Sequence, residues 1–124
     1  MTDVRVLVVD DQELFRRAMA AVVEETDGFV VVGSVACGED SLTAAAELRP
    51  DLVLMDVHLP GIDGIEATRA LRVNGDGPVV VLLSTYDAEE FDLEGSGAAS
   101  YVTKGSFGPE RLVEAWLAAQ RGHG

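Results

Sequence analysis

Two patterns of apolar positions alternate along this chain. In one, short runs are apolar almost without interruption. In the other, apolar residues recur at the three- and four-residue spacing of a helix face. Val4 to Val9, Phe29 to Val35, Leu52 to Met55 and Val79 to Leu83 are of the first kind, and Ala99 to Thr103 is a weaker fifth. Such runs, rich in β-branched residues, read as strands of a parallel sheet, and the third, apolar throughout, as one buried on both faces. Helical stripes lie between them. Leu14, Phe15, Ala18, Met19, Val22 and Val23 form the first, which Gly28 ends. Ser41 to Leu48 is alanine-rich and stops before Pro50. Asp63-Gly64-Ile65-Glu66 has capping-box spacing and opens a helix to about Arg72. Asp87-Ala88-Glu89-Glu90 repeats that spacing, but Gly95 and Gly97 cut the fourth helix short. Gly108-Pro109-Glu110 opens the last helix, with Leu112, Val113, Trp116 and Leu117 as its buried stripe.

Five strands alternating with helices predict an α/β fold. It is a doubly wound five-stranded parallel sheet with right-handed crossovers and helices on both faces. No repeat or linker interrupts the pattern, so residues 1–124 read as one domain. Hydrophobic residues are 48% of the 124, enough to rule out a disordered chain. A formal net charge of −13 argues against this domain itself gripping nucleic acid or an anionic membrane. Cys37 is the only cysteine, so it forms no internal disulfide and lacks the partners of a zinc site. A helix cap or a small buried position suits it. Neither a signal peptide nor a membrane-length apolar run is visible, which makes a cytoplasmic protein the expectation.

The ends of the strands carry the chemistry. The first run leads into Asp10-Asp11 and the third stops on Asp56, followed by the turn Val57-His58-Leu59-Pro60-Gly61-Ile62. The fourth leads to Ser84 and Thr85, the fifth to Lys104. Ligands bind at the carboxyl ends of strands in open α/β sheets, and in a sheet of order 2-1-3-4-5 strands one and three flank the crevice. Acids gathered there repel by roughly a few kcal/mol per contact pair at an intermediate dielectric. Either one is protonated or a cation fills the gap. Oxygen ligands without Cys or clustered His favour a hard ion, and Mg²⁺ suits a partly hydrated carboxylate site. Lys104 adds a point charge and Ser84 a hydroxyl donor. Together these groups suit phosphoryl handling, with a carboxylate as nucleophile.

On these residues the chain resembles the receiver domains of two-component response regulators. The match is carried by Asp10-Asp11, Leu54-Met55-Asp56, Leu59-Pro60-Gly61-Ile62-Asp63-Gly64, Ser84, Tyr101 and Lys104, and runs from about Val4 to Gln120. Phe29-Val30-Val31-Val32-Gly33 and Gly64-Ile65-Glu66-Ala67-Thr68 look most like the receivers joined to a LuxR/NarL-type helix-turn-helix. The resemblance implies the flavodoxin-like receiver fold, order 2-1-3-4-5. It implies Asp56 as phosphoacceptor and Mg²⁺ held by Asp11 directly, Asp10 through water, Asp56 and the backbone carbonyl of His58. Ser84 would hydrogen-bond the phosphoryl group and Lys104 would pair with it. Tyr101 would then swing inward behind Ser84 and remodel the face of helix four, strand five and helix five. The side chains of His58 and Tyr86 would tune phosphate lifetime. A sensor histidine kinase would be the donor, activation would bring a homodimer, and DNA would be contacted by a C-terminal helix-turn-helix outside this chain.

The stretch from Asp87 to Gly97 departs from the subgroup: it is short and carries Gly95, so a short fourth helix and an altered output face are expected. Three other readings compete, although no enzyme activity is expected. A receiver could switch without phosphorylation. An aspartyl-phosphate phosphohydrolase of haloacid-dehalogenase type needs an acid where His58 stands. A flavin module would need amides and hydroxyls where Asp10-Asp11-Gln12-Glu13 would repel a phosphate. Singly, each site residue also has a plainer role: Asp56 or Asp10-Asp11 as a helix cap, Ser84 as a turn residue, Lys104 as a solvated lysine, Tyr101 as packing.

Overall fold

The computed structural model describes residues 3–73, 77–85 and 93–121. Five strands form one parallel sheet: β1 (Val4–Val9), β2 (Phe29–Val35), β3 (Leu52–Asp56), β4 (Val79–Ser84) and β5 (Ser100–Thr103). Their order is β2-β1-β3-β4-β5, as expected for a doubly wound sheet with its switch point between β1 and β3. The central strands β3 and β4 are buried at every position, which is why their sequences do not alternate.

The helices are α1 (Glu13–Glu24), α2 (Gly38–Leu48), α3 (Gly64–Leu71), α4 (Leu93–Ser96) and α5 (Pro109–Arg121). On one face of the sheet Val6, Val8, Leu52, Leu54, Val81 and Leu83 pack with Met19 and Val23 of α1 and Leu112 and Ala115 of α5. On the other, Leu7, Val9, Val53, Met55, Val80 and Leu82 pack with Ala44 of α2 and Ala67 of α3. Each strand thus feeds two cores by alternation of its side chains.

Caps fall where the residue types allow. Asp63 Oδ1 accepts the Glu66 N–H at 2.8 Å, satisfying an orphan donor of α3. Cys37 is the cap of α2, its Sγ accepting the Asp40 N–H at 3.4 Å, so that helix opens earlier than its alanine run suggests. The first helix is capped by Gln12, whose side chain makes no capping bond. Neither Asp10 nor Asp11 is its N-cap.

Two stripes are narrower than their apolar spacing suggests. In α1, Leu14 is 81% exposed and Ala18 is exposed, while Met19 and Val23 are sealed. In α5, Leu112, Ala115 and Ala119 are buried, Leu117 is 49% exposed, and Trp116 is half-buried against Phe29 in an edge-on pair. A helix lying on a sheet covers only the part of its stripe that meets strand side chains. Apolar residues on the flank of the stripe stay in solvent.

The described part of α4 is the four residues Leu93–Ser96, ended by Gly97 at φ 86°. Residues 86–92, which bear on how long the fourth helix is, lie outside the described residues, and with them the expected cap at Asp87 to Glu90 and Tyr86. Among the described residues, no helix is long and apolar enough to cross a membrane.

Candidate functional site

The alternation that turns Val6 and Val8, and Leu52 and Leu54, toward α1 and α5 continues one step past the apolar rows. It delivers Asp10 just beyond β1 and Asp56 at the end of β3. Both are sealed, at 0% and 3% exposure, whereas Asp11 faces solvent. Carboxylate oxygens of Asp10, Asp11 and Asp56 lie within 4.8 Å of one another. The three acids singled out in the sequence therefore do share one crevice.

Each buried acid uses one oxygen on the local backbone. Asp10 Oδ1 accepts the Gln12 N–H at 2.9 Å, and Asp56 Oδ1 accepts the His58 N–H at 3.3 Å. The second oxygens point at the same cation. Lys104 Nζ is 2.7 Å from Asp10 Oδ2 and 3.6 Å from Asp56 Oδ2. Lys104 begins a single 3₁₀ turn, Lys104–Ser106, directly after β5, and only 9% of its side chain is exposed. The reading of Lys104 as a solvated surface lysine is excluded.

The electrostatics follow from this crowding. Burial, then the charge of Asp10, push the Asp56 carboxyl up from 3.8 to about 6. Lys104 and the His58 N–H pull it back, and Asp11 adds a smaller push. A carboxylate so placed is stabilised by any further cation at the mouth of the crevice. The donor set is all oxygen, which fits a hard divalent ion.

Ser84 closes β4 and is buried, one step beyond Leu83, the strand neighbour of Asp56. Tyr101 pairs with Leu82 and joins the core on the α2–α3 side. Pairing of Leu82 with Tyr101 and of Ser84 with Thr103 puts Ser84 and Tyr101 on one face of the sheet. The His58 side chain is exposed beside the crevice.

The turn after Asp56 is held from two sides. Gly64 donates its N–H to the Val57 carbonyl at 2.9 Å, and a Cβ on Gly64 would run into the carbonyl oxygen of Asp56 itself. Glu39, at the start of α2, accepts the Ile62 N–H at 3.2 Å. Amides of Glu39 and Ile62 hold its carboxyl below the ordinary range.

Phe15 and Arg16 escaped the sequence reading as contributors to the site, and Gly64 was read there only as part of a motif. Phe15 was assigned to the core stripe, yet the Lys104 ammonium stands 4.0 Å from its ring centroid. Its spacing of one helical turn from Asp11 was the available signal. Arg16 donates to the Asp10 carbonyl at 2.8 Å, a contact with no local signature. Gly64 stands where a better helix former would serve, which hints at a close backbone approach.

The chain is similar to known proteins in sequence and in fold. The response regulator receiver domain family matches residues 6–116. The response regulator GacA of Pseudomonas aeruginosa is 45% identical over 114 residues, covering 90% of this chain and 53% of GacA. The chain thus spans about half the length of the curated relatives it matches. The signal receiver domain of NarL from Mycobacterium tuberculosis superposes with a TM-score of 0.87 at 29% identity, covering 98% of this chain and 99% of that one. A LuxR-family two-component response regulator from Aurantimonas follows at 0.85 and 33%, covering 98% and 87%. Most similar proteins are named as regulators, but some are enzymes: a protein-glutamate methylesterase/protein-glutamine glutaminase from Nocardioides is 38% identical over 108 residues, 84% of this chain and 30% of its own length. Switching by phosphorylation is the general work of receivers. This chain belongs to the response regulator receiver domains, in their LuxR/NarL-type subgroup.

Proposed function

We propose that residues 1–124 form one receiver whose phosphoacceptor is Asp56. The carrying observation is the placement of one ammonium between two buried carboxylates, with a third carboxylate at the mouth. Asp10, Asp11, Asp56 and the His58 backbone carbonyl would hold Mg²⁺. That ion supplies charge against phosphoryl oxygens.

The chain's own groups do the rest. An Asp56 oxygen attacks the phosphorus of a phosphohistidine on a sensor kinase. The P–N bond breaks, its electron pair leaves with the imidazole, and an acyl phosphate remains. Lys104 and Ser84 then face the new oxygens. The phosphoryl adds charge and acceptors that a second packing of Tyr101 and the α4–β5–α5 face satisfies better. His58, and Tyr86 outside the described residues, would set how fast water removes the phosphoryl group.

The output reading rests on the relatives. Their greater length and their names, among them the transcriptional regulatory protein LiaR of Bacillus subtilis, support transcriptional control through a C-terminal DNA-binding domain. We place the domain in the cytoplasm, as a homodimer when phosphorylated and without enzyme activity of its own. A second reading, a receiver that switches without phosphorylation, rests on the short stretch from Asp87 to Gly97 in the sequence.

The test is incubation with Mg²⁺ and acetyl phosphate. The expected result is a mass gain of one phosphoryl group that Asp56→Asn abolishes. A gain that survives the substitution refutes the assignment. Methyl and amide spectra of α4, β5 and α5 that stay unchanged on phosphorylation favour the second reading.

A further inference from the structure

The Lys104 ammonium has three neighbours of different kinds: Asp10 at 2.7 Å, Asp56 at 3.6 Å, and the ring centroid of Phe15 at 4.0 Å. Phe15 stands in the first turn of α1, one turn beyond Asp11, and α1 packs on the face of the sheet that carries Asp10 and Asp56. Both acids are sealed and Lys104 nearly so. Little water remains to solvate the charge, the condition under which an aromatic face attracts a cation most strongly.

We infer that Phe15 is a positioning residue for phosphoryl transfer, its ring confining the Lys104 ammonium so that it can pass from Asp10 to the incoming phosphoryl oxygens. This rests on the proposed role of Asp56. Three features of the contact suit that task. A ring brings no lone pair to compete for the ammonium's N–H bonds, so those that Asp10 does not hold can turn to other oxygens. It adds no negative charge to a crevice that already holds three acids. The attraction is also less directional than a hydrogen bond, so the ammonium can slide between oxygens while still held. A leucine here would fill space and exclude water but offer no such hold.

The chain with graded fluorination of the ring at position 15 separates attraction from shape, because fluorine drains the ring face of negative charge with little change in size. Phosphorylation of Asp56 by acetyl phosphate at saturating Mg²⁺ is timed across mono-, tri- and pentafluorinated phenylalanine. The expected rate falls stepwise, by about tenfold at the pentafluoro ring. Phe15→Tyr keeps the rate within about twofold and Phe15→Leu loses it to the pentafluoro level. In proton spectra, the Lys104 methylene signals next to the ammonium are displaced upfield by the ring and return to ordinary positions in Phe15→Leu. A rate indifferent to fluorination, or Lys104 signals that Phe15→Leu leaves in place, overturns the inference while the role of Asp56 stands. An unsubstituted chain that takes no phosphoryl group overturns both.

Discussion

The Lys104 ammonium lies closer to Asp10 than to Asp56, at 2.7 against 3.6 Å. The lysine therefore neutralises first an acid proposed to bind the metal, and only second the proposed phosphoacceptor. A divalent ion entering the crevice must share Asp10 with it. Coulomb repulsion between the two cations is on the order of a few kcal/mol at the intermediate dielectric of such a site. Most of it is relieved when the flexible side chain moves. Lys104→Ala is expected to bind Mg²⁺ about fivefold more tightly by calorimetry, while acyl phosphate formation slows. Weaker Mg²⁺ binding in that variant contradicts the competition.

The raised Asp56 carboxyl links folding to pH. Its value is 3.8 unperturbed and about 6 in the folded chain, mainly through burial and the nearby Asp10. The folded state holds a proton that the unfolded chain has released between those values. Ionised Asp56 therefore costs stability above pH 6, and the cost fades as the pH falls from about 6 toward 3.8. Without metal, Asp56→Asn should stabilise the chain at pH 7.5 by on the order of 2 kcal/mol. Near pH 4 it should change little. Melting curves in a chelator check this, and a variant that melts no higher than the parent at pH 7.5 defeats it.

Gly64 ties the start of α3 to the end of β3, the strand that carries Asp56. A methyl group there meets the Asp56 carbonyl and the backbone of Val57, neither of which can swing away like a side-chain tip. Gly64→Ala should cost roughly 1–3 kcal/mol, the usual penalty of overpacking, and should also disturb Mg²⁺ binding. Urea unfolding gives the first number. Unchanged stability would mean that α3 can shift freely, against the contact described.

Leu14 is 81% exposed in the first turn of α1, a few residues from Asp11. A kinase presenting a phosphohistidine to Asp56, the proposed phosphoacceptor, would cover this rim, and burying the protruding leucine would add apolar area to that contact. Leu14→Arg should slow transfer from the phosphorylated kinase by about tenfold or more and leave transfer from acetyl phosphate unaltered. Equal loss with both donors would place Leu14 in the fold or the chemistry instead.

The strands, their parallel arrangement and the acids at their ends were readable from residues alone. A run such as Leu52 to Met55, apolar at every position, can be hidden only in a sheet covered on both sides, and the polar residue that ends it must stand at the rim. Asp10, Asp56, Ser84 and Lys104 were found on that logic. Tertiary packing decided what periodicity leaves open. Leu14 and Phe15 are neighbours of similar character, yet one faces water and the other faces an ammonium, because successive side chains point about 100° apart around a helix and packing decides which side of α1 meets the sheet. The preference of Lys104 for Asp10 depends on distances between strand ends brought together by the fold. The need for Gly64 arises from a backbone approach that no side-chain pattern encodes.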